Sequence, residues 1–408
     1  MTIAPFTSRD NLGRYYTDNG ISEFLISQMD TTEAQNILDL GCGLGSLSFA
    51  ASRRWNDAKI FSLDIEHRSP DAFHRHENQH HVVGDALQFD LPRALGVQEG
   101  SIDLAVCNPP YLKPNWRDEF QEVADQIGLC KYSSISKICS AEVIFLAQML
   151  RMLKTGGEAG VILPDGIFTA EKFSGFREFL VKEHFVKKII QLPRNIFKRT
   201  EAKTHILILN KSVSKCGRDY VELSCVQGDG SLSPTIKISP CLGVERLDYS
   251  YHWRRLNSQA DTKLSAKMID VAEIKRGKHS SVDISRLECA TVHTTNIKGF
   301  NDALMLPGKK DLLDLELPKF LIAGPGDILM ARVGRGFFNK VAYVQSGYAV
   351  VSDCLFRVRA KGYQGDKLFR YLVSDSAQSS LADLSYGVAA SQISMKQLSE
   401  FNVPLGKI

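Results

Sequence analysis

Short apolar runs, most of them unbroken, recur between residues 35 and 210. They read "NILDLG" (36–41), "KIFSLDI" (59–65), "HVVGD" (81–85), "IDLAVCN" (102–108), "EAGVILP" (158–164), "VKKIIQL" (186–192) and "THILILN" (204–210). Strands buried on both faces look like this, whereas a half-solvated strand alternates apolar and polar positions. Amphipathic stretches separate the runs, such as "AEVIFLAQMLRMLKTGG" (141–157), with Gly156 and Gly157 as its stop. Strand–helix alternation of this kind predicts an α/β fold, a mostly parallel, doubly wound sheet with helices on both sides.

The pattern weakens from 211 to about 263, where "KSVSKCGRDY" and "GDGSLSPTIKISP" are polar and rich in turn residues. Beyond it the style changes. "LIAGPGDILMARVG" and "KVAYVQSGYAVVSDCLFRVRA" read as strands broken by Gly and Pro, followed by a helical stretch, "GDKLFRYLVSDSAQSSLADL". The expected organisation is a first domain over 1–235, a linker over 236–262 and a smaller mixed α+β domain over 263–408. A chain of 408 residues has room for these parts.

Composition narrows the classes. The formal net charge of +4 is mild and permits an anionic partner without requiring one. Nine cysteines without a CxxC pair, and an N-terminus lacking an apolar signal segment, predict reduced thiols in a cytoplasmic protein. No apolar run reaches the ~18 residues of a membrane span. The histidines of "FHRHENQHH" (His74, His76, His80, His81) have no convincing cysteine or acid partners, so no metal site is expected.

The candidate chemistry lies at the ends of the strands. "ILDLGCGLGS" places Asp39, Gly41, Gly43 and Gly45 between a strand and a helix, where glycines let a ligand approach the backbone. The next two strands end in Asp64 and Asp85. Ligands of open α/β sheets bind outside the carboxyl ends of the strands, where carboxylates can accept from ribose hydroxyls or an exocyclic amine. Each acid taken alone could instead cap a helix. The fourth strand ends in Asn108-Pro109-Pro110-Tyr111. Two prolines stop the strand and leave an amide, a stiff carbonyl and a phenol at the edge.

These motifs together resemble the class I S-adenosylmethionine-dependent methyltransferases, which have a Rossmann-like sheet. The resemblance implies S-adenosylmethionine as cofactor, with Asp39 and the glycine turn at its methionine end and ribose, Asp64 at the ribose and Asp85 at the adenine. Asn108-Pro-Pro-Tyr111 is similar to the motif of amino-methyltransferases, in which the Asn oxygen and the following carbonyl, here of Pro109, accept the hydrogens of the target amine while Tyr111 stacks on the base. Phe197 resembles the late aromatic that contacts a flipped base, although it could equally pack in a hairpin core. Arg194, Lys198, Arg199 and Lys203 form a basic cluster nearby, of which Lys198 and Arg199 are the candidate DNA contacts.

"NLGRYYTDNGISEFL" (11–25) precedes the glycine turn and resembles the first cofactor motif of the gamma-order N6-adenine DNA methyltransferases. Thr17 is then implied at the methionine moiety, unless it caps a helix. This resemblance spans residues 11–211. "LDYSYHWRRL", "AEIKRGKHSS", "GPGDILMARVGRG" and "GVAASQISMKQLSEFNVPL" resemble, in that order, a target-recognition domain from type I restriction–modification specificity subunits. Among the cations around its glycine turns (Lys275, Arg276, Lys278, Arg332, Arg335, Lys340), Arg332, Arg335 and Lys340 are the candidate DNA contacts, though a solvated basic face would look the same.

The expectation is a site-specific adenine-N6 methyltransferase that flips its base out of duplex DNA. It would belong to a restriction–modification or phage-defence system and meet a protein of that system. RNA adenine or protein glutamine methylation with the same motif, and a non-catalytic DNA-binding subunit, are the alternatives. No nuclease motif is evident.

Overall fold

The computed structural model describes residues 19–66, 78–193, 196, 203–211, 220–257, 265–286, 289–309, 320–334, 336–362, 364–384 and 392–405. Two compact units divide at His252/Trp253.

The first unit begins with α1 (Asn19–Gln28), β1 (Asn36–Leu40), α2 (Ser46–Arg54), β2 (Lys59–Asp64) and β3 (Gln79–Val83). It continues with α3 (Leu91–Leu95), β4 (Ile102–Cys107), α4 (Glu119–Gln126), α5 (Ile135–Ile138), α6 (Ala141–Met152) and β5 (Leu153–Pro164). Then come α7 (Asp165–Thr169), α8 (Ser174–Glu183), β6 (Phe185–Gln191), β7 (Thr204–Asn210), β8 (Val221–Cys225), β9 (Ile236–Ile238), α9 (Pro240–Glu245) and α10 (Tyr249–Asn257), the last crossing the division. All nine strands form one sheet in the order β3-β2-β1-β4-β5-β7-β6-β8-β9.

β1 to β5 are parallel. Each of the seven apolar runs is a strand, so the doubly wound α/β reading holds. β7 departs from it: it lies antiparallel between β5 and β6, with Pro164 opposite Thr204. Side chains such as Leu25, Ile37, Ala51, Ile60, Leu104, Ile162 and Ile206 share one core cluster, which explains the unbroken apolar runs.

Two expectations change. The helix at 141–157 stops at Met152, and Gly156 and Gly157 belong to β5. That helix is not amphipathic in place, because all twelve of its residues are buried, including Glu142, Gln148 and Arg151. The stretch 236–262, read as linker, is folded as far as Asn257. β9 adds to the edge of the large sheet, and Gln191 Oε1 at the end of β6 accepts from Ser250 Oγ of α10 at 2.9 Å.

The second unit is built of β10 (Ser265–Lys267), β11 (Ala272–Arg276), β12 (Thr291–Val292), β13 (Asn301–Met305), β14 (Ile322–Ala323), β15 (Asp327–Ala331), β16 (Val341–Ser346), β17 (Ala349–Val351), β18 (Leu355–Ala360) and β19 (Asn402–Pro404). They form a five-stranded sheet, β11-β18-β15-β16-β13, a three-stranded sheet, β12-β17-β14, and the pair β10-β19. Helices at Gly365–Leu372 and Asp375–Leu384 complete a mixed α+β unit with its own core around Ile328, Val341, Phe356 and Leu372.

Candidate active site

The topology places the candidate residues along one sheet edge. β3, β2, β1 and β4 are consecutive neighbours, all parallel, so their carboxyl ends lie side by side at roughly 4.8 Å spacing. Asp85, Asp64, the Asp39–Gly45 turn and Asn108 follow those ends in that spatial order. β1 and β4 are where the strand order switches direction, and Leu40 pairs with Cys107 there. The Asn-Pro-Pro-Tyr motif therefore starts beside the glycine turn. Cys107 Sγ donates to Leu40 O at 2.9 Å and ties the two strand ends together.

Gly41, Gly43 and Gly45 have φ of +67°, +57° and +79°, in the left-handed region that a side chain disfavours. A Cβ on Gly41 would come within 3.0 Å of Phe145 Cε1 on α6. Asp39 is fully buried beneath the turn, and its Oδ2 accepts from Ser48 N–H (3.0 Å) and Ser48 Oγ (2.6 Å) at the start of α2. Its part is to hold helix to strand, which leaves the turn's backbone as the surface offered to a ligand. Asp39 Oδ1 has no hydrogen-bond partner. Burial, and secondly the charge of Asp64, push the Asp39 pKa up to about 7 against the opposing Ser48 bonds.

Asp64 Oδ2 accepts from Gly43 N–H at 2.9 Å and Oδ1 from Glu66 N–H at 3.0 Å, so this acid also shapes the turn. Asp85 Oδ1 accepts from Leu87 N–H at 2.9 Å, and its Oδ2 lies 2.7 Å from Arg117 Nη1. Asn108 Oδ1 accepts from the Tyr111 hydroxyl at 3.2 Å. Pro109 is buried, while Asn108, Pro110 and Tyr111 are half-buried. Leu112 O, just past the motif, accepts from Ala141 N–H at the start of α6 at 3.0 Å.

A turn of three glycines with positive φ, and the carboxylates of Asp64 and Asp85 at neighbouring strand ends, fit what S-adenosylmethionine requires. Its hydroxyls and amines need acceptors, and its methionine end needs a turn without side chains.

Three residues escaped the sequence reading. Ile65 directly follows Asp64 and is 56% exposed, an apolar face beside the acid. Phe145 underlies Gly41 but is hidden in a run of apolar helix residues. Glu142, in the first turn of α6, is buried with its pKa pushed up to about 7 by that burial. An acid in the mostly apolar first half of this helix was the signal available for it.

Beyond β4, the carboxyl end of β5 leads into a buried ionic cluster. Asp165 Oδ1 is 2.9 Å from His205 Nε2 and 3.4 Å from Lys203 Nζ. Burial alone would raise the Asp165 pKa, but Lys203 and His205 hold it well below the usual carboxylate range. Arg246 Nε pairs with Asp248 Oδ1 at 2.6 Å.

Thr17, Phe197, Lys198, Arg199 and Arg335 lie outside the described residues, as do Arg194, His74 and His76. In the second unit Arg332 Nε donates to Asp353 O (3.2 Å) and its Nη1 to Gln392 Oε1 (3.3 Å), while Lys340 Nζ donates to Thr294 O (3.3 Å). Both cations thus hold loops of their own unit together. Among the described residues no group of histidines, cysteines and acids is arranged to hold a metal ion, and no helix is long and apolar enough to cross a membrane.

The family description N-6 DNA Methylase matches residues 2–223. The methylase subunit of the type I restriction enzyme MpnII from Mycoplasma pneumoniae is 25% identical over 226 residues, covering 50% of this chain and 41% of that protein. The type II methyltransferase M.PstI from Providencia stuartii is 24% identical over 254 residues, covering 56% and 48%. A release factor glutamine methyltransferase from Chlorobaculum tepidum is 29% identical over 114 residues, covering 26% and 38%. The chain thus spans less than half the length of these relatives. Among solved structures, the type IIG restriction endonuclease BpuSI aligns with 98% of this chain and 60% of its own, at 14% identity and a TM-score of 0.49. With its glycine turn, acid-tipped strands and Asn-Pro-Pro-Tyr edge all inside a match to more than half of its length, the chain belongs to the N-6 DNA methylase family.

Proposed function

We propose that this chain methylates the N6 amine of adenine at a specific site in duplex DNA. The carrying observation is the adjacency of β1 and β4, which sets Asn108 one strand away from the glycine turn. S-adenosylmethionine, when bound, supplies an electrophilic methyl group on a sulfonium. The turn, Asp64 and Asp85 would hold that cofactor, with Asp39 fixing the turn from beneath.

Asn108 Oδ1 and Pro109 O accept the two amine hydrogens. The adenine N6 lone pair is delocalised into the ring, and two acceptors favour a pyramidal nitrogen whose lone pair points outward. A carbonyl in a Pro-Pro unit is already aimed, so little reorganisation accompanies the reaction. Tyr111 offers its ring to the base, a contact worth about 1–3 kcal/mol. The target base has to leave the duplex to reach these groups. The gamma motif order and a base contact at Phe197 belong to the same reading, with Thr17 at the methionine end.

The second unit is read as the target-recognition part. Basic residues around its turns, Arg332, Arg335 and Lys340, would supply phosphate or base-edge contacts, Arg332 and Lys340 alongside the bonds that hold their loops, with Lys198 and Arg199 adding phosphate contacts from the first unit. A relative named as a type I restriction-enzyme methylase subunit, and another named as a type II methyltransferase, favour a restriction–modification setting, a protein partner from that system and work in the cytoplasm on cellular DNA. The glutamine methyltransferase relative keeps a protein substrate as the second reading.

The test is transfer of labelled methyl to duplex DNA, RNA and release-factor protein, with methylated-base sequencing of DNA from cells expressing the chain. Asn108→Ala should lower transfer roughly 10²–10³-fold and change cofactor affinity only a few-fold. Wild-type labelling of protein or RNA in place of DNA overturns the reading.

A further inference from the structure

Tryptophan is usually well covered in a fold, and a large exposed ring is informative when its surroundings hold it still. Trp116 is 45% exposed and lies five residues beyond Tyr111, in a segment without helix or strand. That segment is fastened at both ends. Leu112 O takes the Ala141 N–H, while Arg117 reaches Asp85 and Glu119 Oε2 accepts from Phe89 N–H at 3.1 Å.

The indole itself is fixed. Its Nε1 donates to Asp118 Oδ1 at 3.2 Å. The ring meets the fully buried Phe120 edge-on, with centroids 6.0 Å apart and planes at 87°. The polar tip is thus satisfied within the loop and one edge is anchored, yet much of the ring still meets solvent. Arg117 fastens this loop to the acid that follows β3, on the same edge of the sheet as Asn108. Exposed Lys113 and Asn115 lie beside it in sequence and can donate to phosphates.

We propose that Trp116 is a DNA-stacking residue, seated against the bases that flank the adenine delivered to Asn108. A base that leaves the duplex forfeits stacking with its neighbours, and a rigid exposed aromatic on the loop that follows Asn108 can replace part of it. Trp116 then acts on the energy of base extrusion and not on methyl transfer. The inference rests on the DNA reading above.

The test compares wild type, Trp116→Ala and Trp116→Phe on two duplexes that carry the site found by methylated-base sequencing. One is fully paired; the other has an abasic position opposite the target adenine, so the base is already loosened. Trp116→Ala should lose about 10-fold or more in kcat/KM on the paired duplex and several times less on the loosened one, with Trp116→Phe recovering most of the loss. Equal losses on both duplexes, which indicate a structural role, overturn the inference, as does no loss on either. Failure of wild type to methylate any duplex overturns the DNA reading itself, and this inference with it.

Discussion

Asp85 and Arg117 form an ion pair at 2.7 Å across 32 residues of sequence, joining the acid that follows β3 to the loop that follows the Asn-Pro-Pro-Tyr motif. Both oxygens of Asp85 are engaged, one by Arg117 and one by Leu87 N–H. In the proposed reading, a cofactor amine arriving at Asp85 would share or displace the guanidinium. The pair is partly exposed, so its worth is at most about 1 kcal/mol. Arg117→Ala should therefore tighten binding of S-adenosylhomocysteine by up to about 5-fold, and Asp85→Ala should weaken it about 10-fold. Calorimetric titration of both variants decides it, and a weaker-binding Arg117→Ala would place the guanidinium among the cofactor contacts instead.

Gly41 has φ +67°, and an added methyl would meet Phe145 at 3.0 Å. Gly41→Ala should cost about 1–2 kcal/mol of stability from backbone conformation alone and abolish measurable cofactor binding, because relief of the contact moves either the turn or α6. Denaturant unfolding with parallel calorimetry checks both parts. Intact binding in a stable variant would show that the cofactor does not lie on this turn.

Asp39, with its pKa near 7 in the fold, makes stability depend on pH. Its unfolded pKa is that of an ordinary carboxylate, so between about 4 and 7 the native state binds more protons than the unfolded state. Its contribution to stability therefore falls as pH rises through that window, by as much as roughly 4 kcal/mol. Asp39→Asn should flatten this part of the curve, seen as a smaller wild-type advantage at pH 8 than at pH 5 in urea unfolding. Parallel curves for the two proteins would contradict the assignment. A bound cation such as S-adenosylmethionine favours the carboxylate, so its binding should release a proton near pH 6.5.

Asp248 is fully buried against Arg246, 2.6 Å away. Burial would raise the Asp248 pKa, and the guanidinium holds it low. Asp248→Asn leaves a buried cation without its counter-charge, which should cost about 3–5 kcal/mol. Asp248→Asn paired with Arg246→Met should recover part of the loss. Thermal unfolding of the two variants measures both effects.

The strands were legible because most of those from β1 to β7 are largely unbroken apolar runs, and the three acids, the glycine turn and the Asn-Pro-Pro-Tyr motif each sit at the end of such a run. The path of the sheet was not. Nothing local to "THILILN" says that it runs antiparallel and inserts between β5 and β6, since hydrophobic period carries no information about partner or direction. β9 is only three residues long and follows polar turn residues, so 236–257 looked like linker. The ties of Arg117 to Asp85 and of Glu119 to the Phe89 amide join groups about 30 residues apart and leave no pattern in the chain.

The phenol of Tyr111 rests on the oxygen of Asn108 that the target amine would take. In the proposed reading, arrival of a base at Asn108 is therefore an exchange of one donor for another. Little net enthalpy is gained in such a swap, so occupancy depends on the ring surfaces around the base. A nucleobase with no hydrogen to give would leave the phenol where it is. Asn108 would then screen bases by whether they can displace the phenol, well before any methyl group moves.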